Sequence, residues 1–309
     1  MTRFLLTRCS SALFVILGVC CLVFILIHLI PGDPIDVMLG ENAHPTDKEA
    51  LRKAMGFHLP VHVQLRDYLL RLLQLDLGHS IHSGRAITEI LQERLPATIE
   101  LGLAAFLVSI LLAFPLGIAA AMRQNTVTDV AAMTFALGGV SIPNFWMGPM
   151  LILVGALWLG WFPVSGREGF LSLVLPALTL GTAMAAILSR MIRSALLEVI
   201  HEDYIRTAHA KGLSSVRTTF HHALRNAMLP VLTLLGLQLG ALLSGAVITE
   251  TIFSWPGLGS LMIEAIQQRD YPIVQAAILC ISGLYIGVNL LTDVLYAWID
   301  PRIRIQETS

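Results

Sequence analysis

Charge is what this 309-residue chain has least of: Asp, Glu, Lys and Arg together make 13% of it, and lysine occurs only at Lys48, Lys53 and Lys211. Soluble domains carry about a quarter charged residues, so an all-round water-facing surface is excluded. The signs nearly cancel, 20 basic residues against 21 acidic, which leaves no basic footprint for nucleic acid. Cysteine is also scarce. Cys9, Cys20, Cys21 and Cys280 show no C-x-x-C spacing for metal or redox work and read as apolar filling. None of the three lysines stands in a Gly-Lys-Ser/Thr context, so the chain has no P-loop and any ATP hydrolysis must belong to another polypeptide. His201-Glu202 opens like a zinc-protease motif, but Ile205 occupies the place of the second histidine, and no G-x-S-x-G elbow is present. Internal repeats, low-complexity tracts and Pro- or Ser-rich linkers are missing as well.

What the chain does have is grease: 55% hydrophobic residues, concentrated in six charge-free runs at 9–32, 101–122, 130–166, 169–189, 226–249 and 271–292. Crossing about 30 Å of hydrocarbon takes about 20 apolar residues as a helix, because backbone groups in lipid must be satisfied within the segment. The expected fold class is therefore all-α integral membrane, with six transmembrane helices. The third run is too long for one helix; its end, Trp158 to Pro163, reads as an interfacial exit, and Pro143 is expected to kink it. Arg3 and Arg8 before the first run also fit a cleaved secretory signal. A retained span is favoured, since no small-x-small cleavage site comes after it and the run stops at a proline turn.

Basic residues near span ends set orientation. Placing Arg3, Arg8, Arg123, Arg190, Arg193, Arg206, Lys211, Arg217, Arg225, Arg302 and Arg304 inside leaves only Arg167 and Arg269 in the short outer loops, with both termini cytoplasmic. The long first outer segment does not vote.

Two polar segments stand out. The first, 31–100, has a helical patch at Val63, Leu65, Tyr68, Leu69, Leu72 and Leu73, broken by Gly78 and Gly84; it reads as an ordered outer cap or as an amphipathic hairpin on the bilayer. The second, 190–225, reads as helix, glycine stop, new helix: Ala208, Ala210 and Lys211 favour helix, Gly212 suits the left-handed C-terminal position, and Ser214 or Ser215 can cap the helix resuming at Val216. Ala208, Ala210 and Gly212 leave little side chain on one surface, the shape of a docking element. A solvated loop with basic anchoring is the plainer alternative.

Within that segment, Arg206-Thr-Ala-His-Ala-Lys-Gly212 followed by His222-Ala-Leu-Arg-Asn-Ala-Met-Leu-Pro-Val231 resembles the cytoplasmic EAA loop of binding-protein-dependent ABC importer permeases, in the dipeptide, oligopeptide and nickel branch. Further blocks are similar along nearly the whole chain: Pro31-Gly-Asp-Pro34, Asp76-Leu-Gly-His-Ser80, Leu95-Pro-Ala-Thr-Ile-Glu-Leu101, Ser141-Ile-Pro-Asn-Phe-Trp146, Glu250-Thr-Ile-Phe-Ser-Trp-Pro-Gly-Leu-Gly259, Arg269-Asp-Tyr-Pro272 and Asp300-Pro-Arg-Ile-Arg304. One departure matters. Arg206 stands where the general motif has Glu, so the charge contact attributed to that Glu does not carry over.

The resemblance implies a type I ABC importer permease fold in the bacterial inner membrane, with an extracytoplasmic insertion after the first helix: 1–30 an N-terminal transmembrane helix, 31–98 the insertion, and 99–309 a five-helix core with a coupling loop at 190–228. It implies a second related permease, two ATP-binding subunits carrying ATP and Mg, an outer substrate-binding protein, and no cofactor or metal held by this chain itself. Glu202, Asp203, Tyr204, Arg206, Ala208, Ala210, Lys211 and Gly212 become the candidate ATPase-coupling residues. Polar or helix-breaking groups inside apolar runs must face protein or water, which makes Ser141, Pro143, Asn144, Gln238, Ser244 and Asn289 candidates for the pathway; interhelical hydrogen bonding is the alternative for each. An ion-coupled carrier is the competing class, but the acids near spans, Glu100, Glu250 and Asp293, lie close to their ends. Small peptides, glutathione included, are the expected cargo. Nickel or a metal chelate is the alternative, resting on outer His44 and the pairs His58/His62 and His79/His82 at helical ligand spacing.

Overall fold

The computed structural model describes residues 2–28, 34–40, 43–54 and 56–299, so motif residues 31–33 and 300–304 lie outside the described part. Thirteen helices follow one another among the described residues: α1 (Thr2–His28), α2 (Pro34–Leu39), α3 (Pro45–Ala54), α4 (Val61–Leu73), α5 (Ile87–Met122), α6 (Val127–Ser141), α7 (Asn144–Leu151), α8 (Phe170–Ile200), α9 (Asp203–Ala210), α10 (Ser215–Arg217), α11 (Leu224–Ile252), α12 (Leu258–Gln268) and α13 (Tyr271–Ile299). Two π-helical stretches, Ile152–Trp158 and Thr218–Ala223, continue α7 and lead into α11.

The six apolar runs fall largely on helices. Ile87–Met122, Phe170–Ile200, Ser215–Gly240 and Tyr271–Val294 are long and apolar enough to cross a bilayer, and α6 with α7 adds a fifth if that bent pair is one span. The remaining run is on α1, whose described apolar part is Ser10–Ile25. Leu103, Leu107 and Leu111 stand exposed at four-residue spacing on one face of α5. Such a stripe suits lipid as its solvent, not water.

The third run differs from expectation. In place of a kink at Pro143, α6 stops at Ser141, Ile142 (φ −89, ψ 116) and Pro143 (φ −64, ψ 143) are both extended, and the two helix axes differ by 104°. Pro disfavours the helical region for the residue before it, so the turn takes two residues out of the helix rather than bending it. The connection before the last span, expected as a short loop, holds α12, whose Leu258, Leu261 and Ala265 are buried at helical spacing.

The chain divides into two compact units, Met1–Ala97 with Gly257–Gly287, and Thr98–Pro256 with Val288–Ser309. In the first, α4 lies against α1 with the Tyr68 and Phe24 rings 5.6 Å apart, and Gln275 Nε2 donates to the Val23 carbonyl at 2.9 Å. Its apolar core joins Ile87, Ile90 and Leu91 to Leu258, Leu261, Ala265, Ile273 and Ala276. Gly78 and Gly84 both take positive φ, as turns that interrupt the helical pattern require. The described residues of the segment after α1 are thus largely helical, and α4 packs on α1.

The second unit is built round α8, which packs against α11 and α6. Leu188, Ile192 and Leu196 are fully buried along one α8 face, and Ala223, Ala227 and Val231 meet the same core. Small residues let backbones approach. A Cβ on Gly181 would lie 2.6 Å from Val108 Cγ1, and one on Gly117 would lie 2.7 Å from the Ser189 carbonyl, so α5 and α8 run side by side in the same direction at near-backbone contact.

Candidate functional site

The expected glycine-stopped elbow is present. Glu202 is the extended N-cap residue of α9, Lys211 closes the helix, and Gly212 comes next at φ +79. Gly212 N donates to the His209 carbonyl at 2.9 Å, and Leu213 N reaches back to Ala208 at 3.3 Å. This paired closure satisfies the last carbonyls and depends on a left-handed residue at 212. Ser214, not Ser215, caps α10, its hydroxyl accepting from Arg217 N at 3.4 Å.

Side chains on α9 divide by face. Ile205 and Ala208 are buried, three residues apart, whereas Asp203, Arg206, Ala210, Lys211 and Gly212 are exposed. That corrects one expectation: Ala208 is part of the inward face, and the small-residue outer surface reduces to Ala210 and Gly212. Tyr204 is held in place by Asn226, whose Nδ2 donates to its hydroxyl at 2.7 Å. The Asp203–Arg206 pair is 3.4 Å apart with both side chains largely in solvent, and so adds little rigidity.

The candidate pathway residues do not form one cluster. Ser141, Pro143 and Asn144 meet at the 104° break, where the Ser141 hydroxyl donates to its own helix at Leu137. Gln238 is buried on α11, and its Nε2 donates to the Met184 carbonyl of α8 at 3.0 Å, the interhelical alternative in geometric form. Its Oε1 is buried without a hydrogen-bond partner among the described residues. Ser244 is on the same helix, with its side chain outside the described part, and Asn289 is half-buried on α13.

The acids near span ends are engaged. Thr98 Oγ1 donates to Glu250 Oε1 at 2.7 Å, and Glu250 is fully buried. Arg167 donates to Glu100 at 2.8 Å through Nε, and its guanidinium carbon lies 5.9 Å from the Trp255 ring centroid. The stretch from Glu250 to Trp255 is a corner that buries Glu250, Phe253 and Trp255, with Thr251 and Ser254 left exposed.

Two clamps have no motif in the sequence. Arg193, in sequence only one of the orienting charges, donates through Nε and a terminal nitrogen to both oxygens of Asp129 at 2.6 and 2.7 Å. Asp129 sits immediately before the third apolar run, and that edge position was the available signal. In the first unit, Asp270 Oδ2 accepts from Ser80 Oγ at 2.6 Å, Ile81 N at 3.1 Å and His82 N at 3.4 Å, tying the 79–86 turn to the α12–α13 corner. Replacing Asp270 with Ala leaves these donors without their acceptor, an expected loss of about 3 kcal/mol in local stability. In the assembled complex, tryptic cleavage after Arg85 should then accelerate by about tenfold or more. An unchanged cleavage half-life would remove Asp270 as the anchor.

The histidine pairs are not ligand pairs on helices: His58 precedes α4, and Pro60 separates it from His62. His79 bridges to Ala86 in extended backbone, and the His82 ring contacts the Gln268 carbonyl at 2.5 Å. Among the described residues, no group of three or more His, Cys, Asp or Glu side chains comes together to hold a metal.

Residues 113–305 match the family described as binding-protein-dependent transport system inner membrane component, and residues 1–102 match the companion family for the N-terminal part of such components. The di/tripeptide transport system permease protein DppB of Pseudomonas aeruginosa is 44% identical, with 99% of this chain and all of that protein covered. The dipeptide transport system permease protein DppB of Escherichia coli K12 is 41% identical, and the glutathione transport system permease protein GsiC of Salmonella choleraesuis 40%, each over 98% of this chain and 99% of the relative. Among solved structures, a chain of the MetNI methionine ABC transporter in inward-facing conformation superposes with a TM-score of 0.59 at 15% identity, covering 68% of this chain and 96% of that one. At that identity the likeness concerns the fold, which is that of a type I importer permease. With its helical breaks, its elbow and its buried corner placed in that frame, the chain belongs to the family of inner-membrane components of binding-protein-dependent transport systems.

Proposed function

We propose that this chain is one of two related permease subunits whose shared pathway admits di- and oligopeptides, or glutathione-like peptides. The supporting observation is end-to-end similarity, at 40 to 44% identity, to relatives named for di/tripeptide, dipeptide and glutathione transport. Family membership makes the chain a transport component working with a substrate-binding protein and ATPase subunits, which leaves the ion-coupled reading without support. The finer assembly is our reading: a second permease, two ATPases binding ATP and Mg, both termini in the cytoplasm, and the 31–98 segment outside.

In this scheme, closure of the ATPase dimer moves the α9 elbow, and the permease rocks to expose its pathway outward; hydrolysis reverses the motion. Glu202, Asp203, Tyr204, Arg206, Ala210, Lys211 and Gly212 supply the contact surface, and buried Ala208 passes force to the core. Ser141, Pro143 and Asn144 at the break line the pathway, with Gln238, Ser244 and Asn289 deeper in the bundle. A metal-chelate cargo has weaker support, because the paired outer histidines do not share a helix face.

The deciding measurement is mass spectrometry of what the cognate binding protein retains on purification. Peptides are expected, with loss of their uptake when this chain is deleted. A metal chelate as the retained ligand would replace the peptide reading.

A further inference from the structure

We propose that the Asp129–Arg193 pair is a positioning link, fastening α6 to α8 so that displacement entering at the α9 elbow reaches the break at Ile142–Pro143 without slack. The inference rests on the reading of α9 as the ATPase contact and adds the route beyond it.

Three observations carry it. The first is the fork: two hydrogen bonds of 2.6 and 2.7 Å between guanidinium and carboxylate fix both distance and rotation, as a single contact does not. The Asp129 side chain is 5% exposed and Arg193 25%, and Asp129 Oδ2 also accepts from Asn125 N at 2.9 Å, which pins the turn before α6. The second is a further fastening toward the other end of α6, where a Cβ on Gly139 would lie 3.0 Å from Ala186 Cβ and 3.3 Å from the Thr182 carbonyl. Held at both places, α6 cannot slide along α8. The third is continuity: α8 runs unbroken from Phe170 through Arg193 to Ile200, and only His201 and Glu202 separate it from α9. The backbone past α6 is the opposite case, with two extended residues and a 104° change of axis. A stiff path thus ends at a hinge.

A packed apolar pair holds helices together as well as a buried ion pair does, often better. What the fork adds is direction, and direction is what a transmitted displacement needs. The predicted signature is therefore loss of coupling without loss of stability.

The test uses the whole complex in liposomes, comprising both permeases, the ATPase subunits and the binding protein, with radiolabelled dialanine as the probe and uptake per ATP hydrolysed as the readout. The double variant Asp129→Leu with Arg193→Met replaces the pair by apolar side chains. It should assemble with wild-type subunit ratios and an unshifted melting temperature, while uptake per ATP falls about tenfold. Wild-type uptake per ATP in that variant overturns the proposal. If the double variant does not assemble, Arg193→Lys takes its place: it keeps the charge, loses the fork, and should lower uptake per ATP about threefold, with no change again overturning the link. Gly212→Val run in parallel separates the two ideas. If Gly212→Val uncouples and the double variant does not, only the link fails; if Gly212→Val transports normally, the α9 reading itself fails.

Discussion

Gly212→Val is expected to leave the permease inserted and folded while uptake falls by about tenfold or more. The cause is conformational, not steric, since a Cβ at this position would meet nothing within 4 Å. At φ +79 an L-residue is strained by about 1–2 kcal/mol, and β-branching makes the left-handed region worse still. Relief of that strain releases the bonds from Gly212 N to His209 and from Leu213 N to Ala208, and the chain leaves α9 in a new direction. A series distinguishes this from crowding: Asn, which tolerates the left-handed region, should stay near wild type, Ala should be intermediate and Val worst. Uptake assays across the series, with immunodetection of inserted protein, check it. Equal uptake by the Val and Asn variants would show that α9 needs no fixed exit direction.

Gly181→Leu should be more drastic, abolishing the assembled permease instead of impairing it. Even the first atom of the new side chain falls 2.6 Å from Val108 Cγ1 and 2.8 Å from the Ala105 carbonyl, and one of these is backbone that cannot rotate away. In lipid, helices gain nothing from hiding apolar surface, because the tails are as apolar as leucine; association rests on close packing. Forcing α5 off α8 removes that packing along their shared length, and overpacking costs of about 1–3 kcal/mol per site are a lower bound here. Detergent extraction followed by size-exclusion should show little monodisperse complex. Recovery of complex at wild-type yield with an unshifted melting temperature would mean that the two helices can separate freely.

The features legible in the sequence were those written locally. Apolar runs announced the long helices, and Gly212 with Ser214 or Ser215 announced the elbow, because a run of side chains or a single φ is decided within a few residues. Contacts made across the chain were not legible. Ser80 and Asp270 are 190 positions apart and Asp129 and Arg193 are 64 apart, and no spacing rule links them. Pro143 lay between: its missing donor predicted a disturbance, but only the extended state of Ile142 before it decided for a corner over a kink. Ala208 illustrates another limit. Small size suits an outer docking surface and a tight inner contact equally, and only the placement of Ile205 beside the core chose between them.

At the corner between α6 and α7, the helical ladder is interrupted on both sides. Ile142 N still reaches the Gly138 carbonyl, and Trp146 N and Met147 N reach the Pro143 carbonyl, but the carbonyls of Gly139 to Ser141 and the amides of Asn144 and Phe145 fall outside the helical ladders, Pro143 contributing no amide at all. Hydrocarbon cannot answer such groups, so the protein must bring polar atoms or solvent to them. An otherwise oily stretch of chain thereby offers bare peptide groups at one spot, which in the pathway proposed above would meet a peptide with peptide chemistry that reads no side chain.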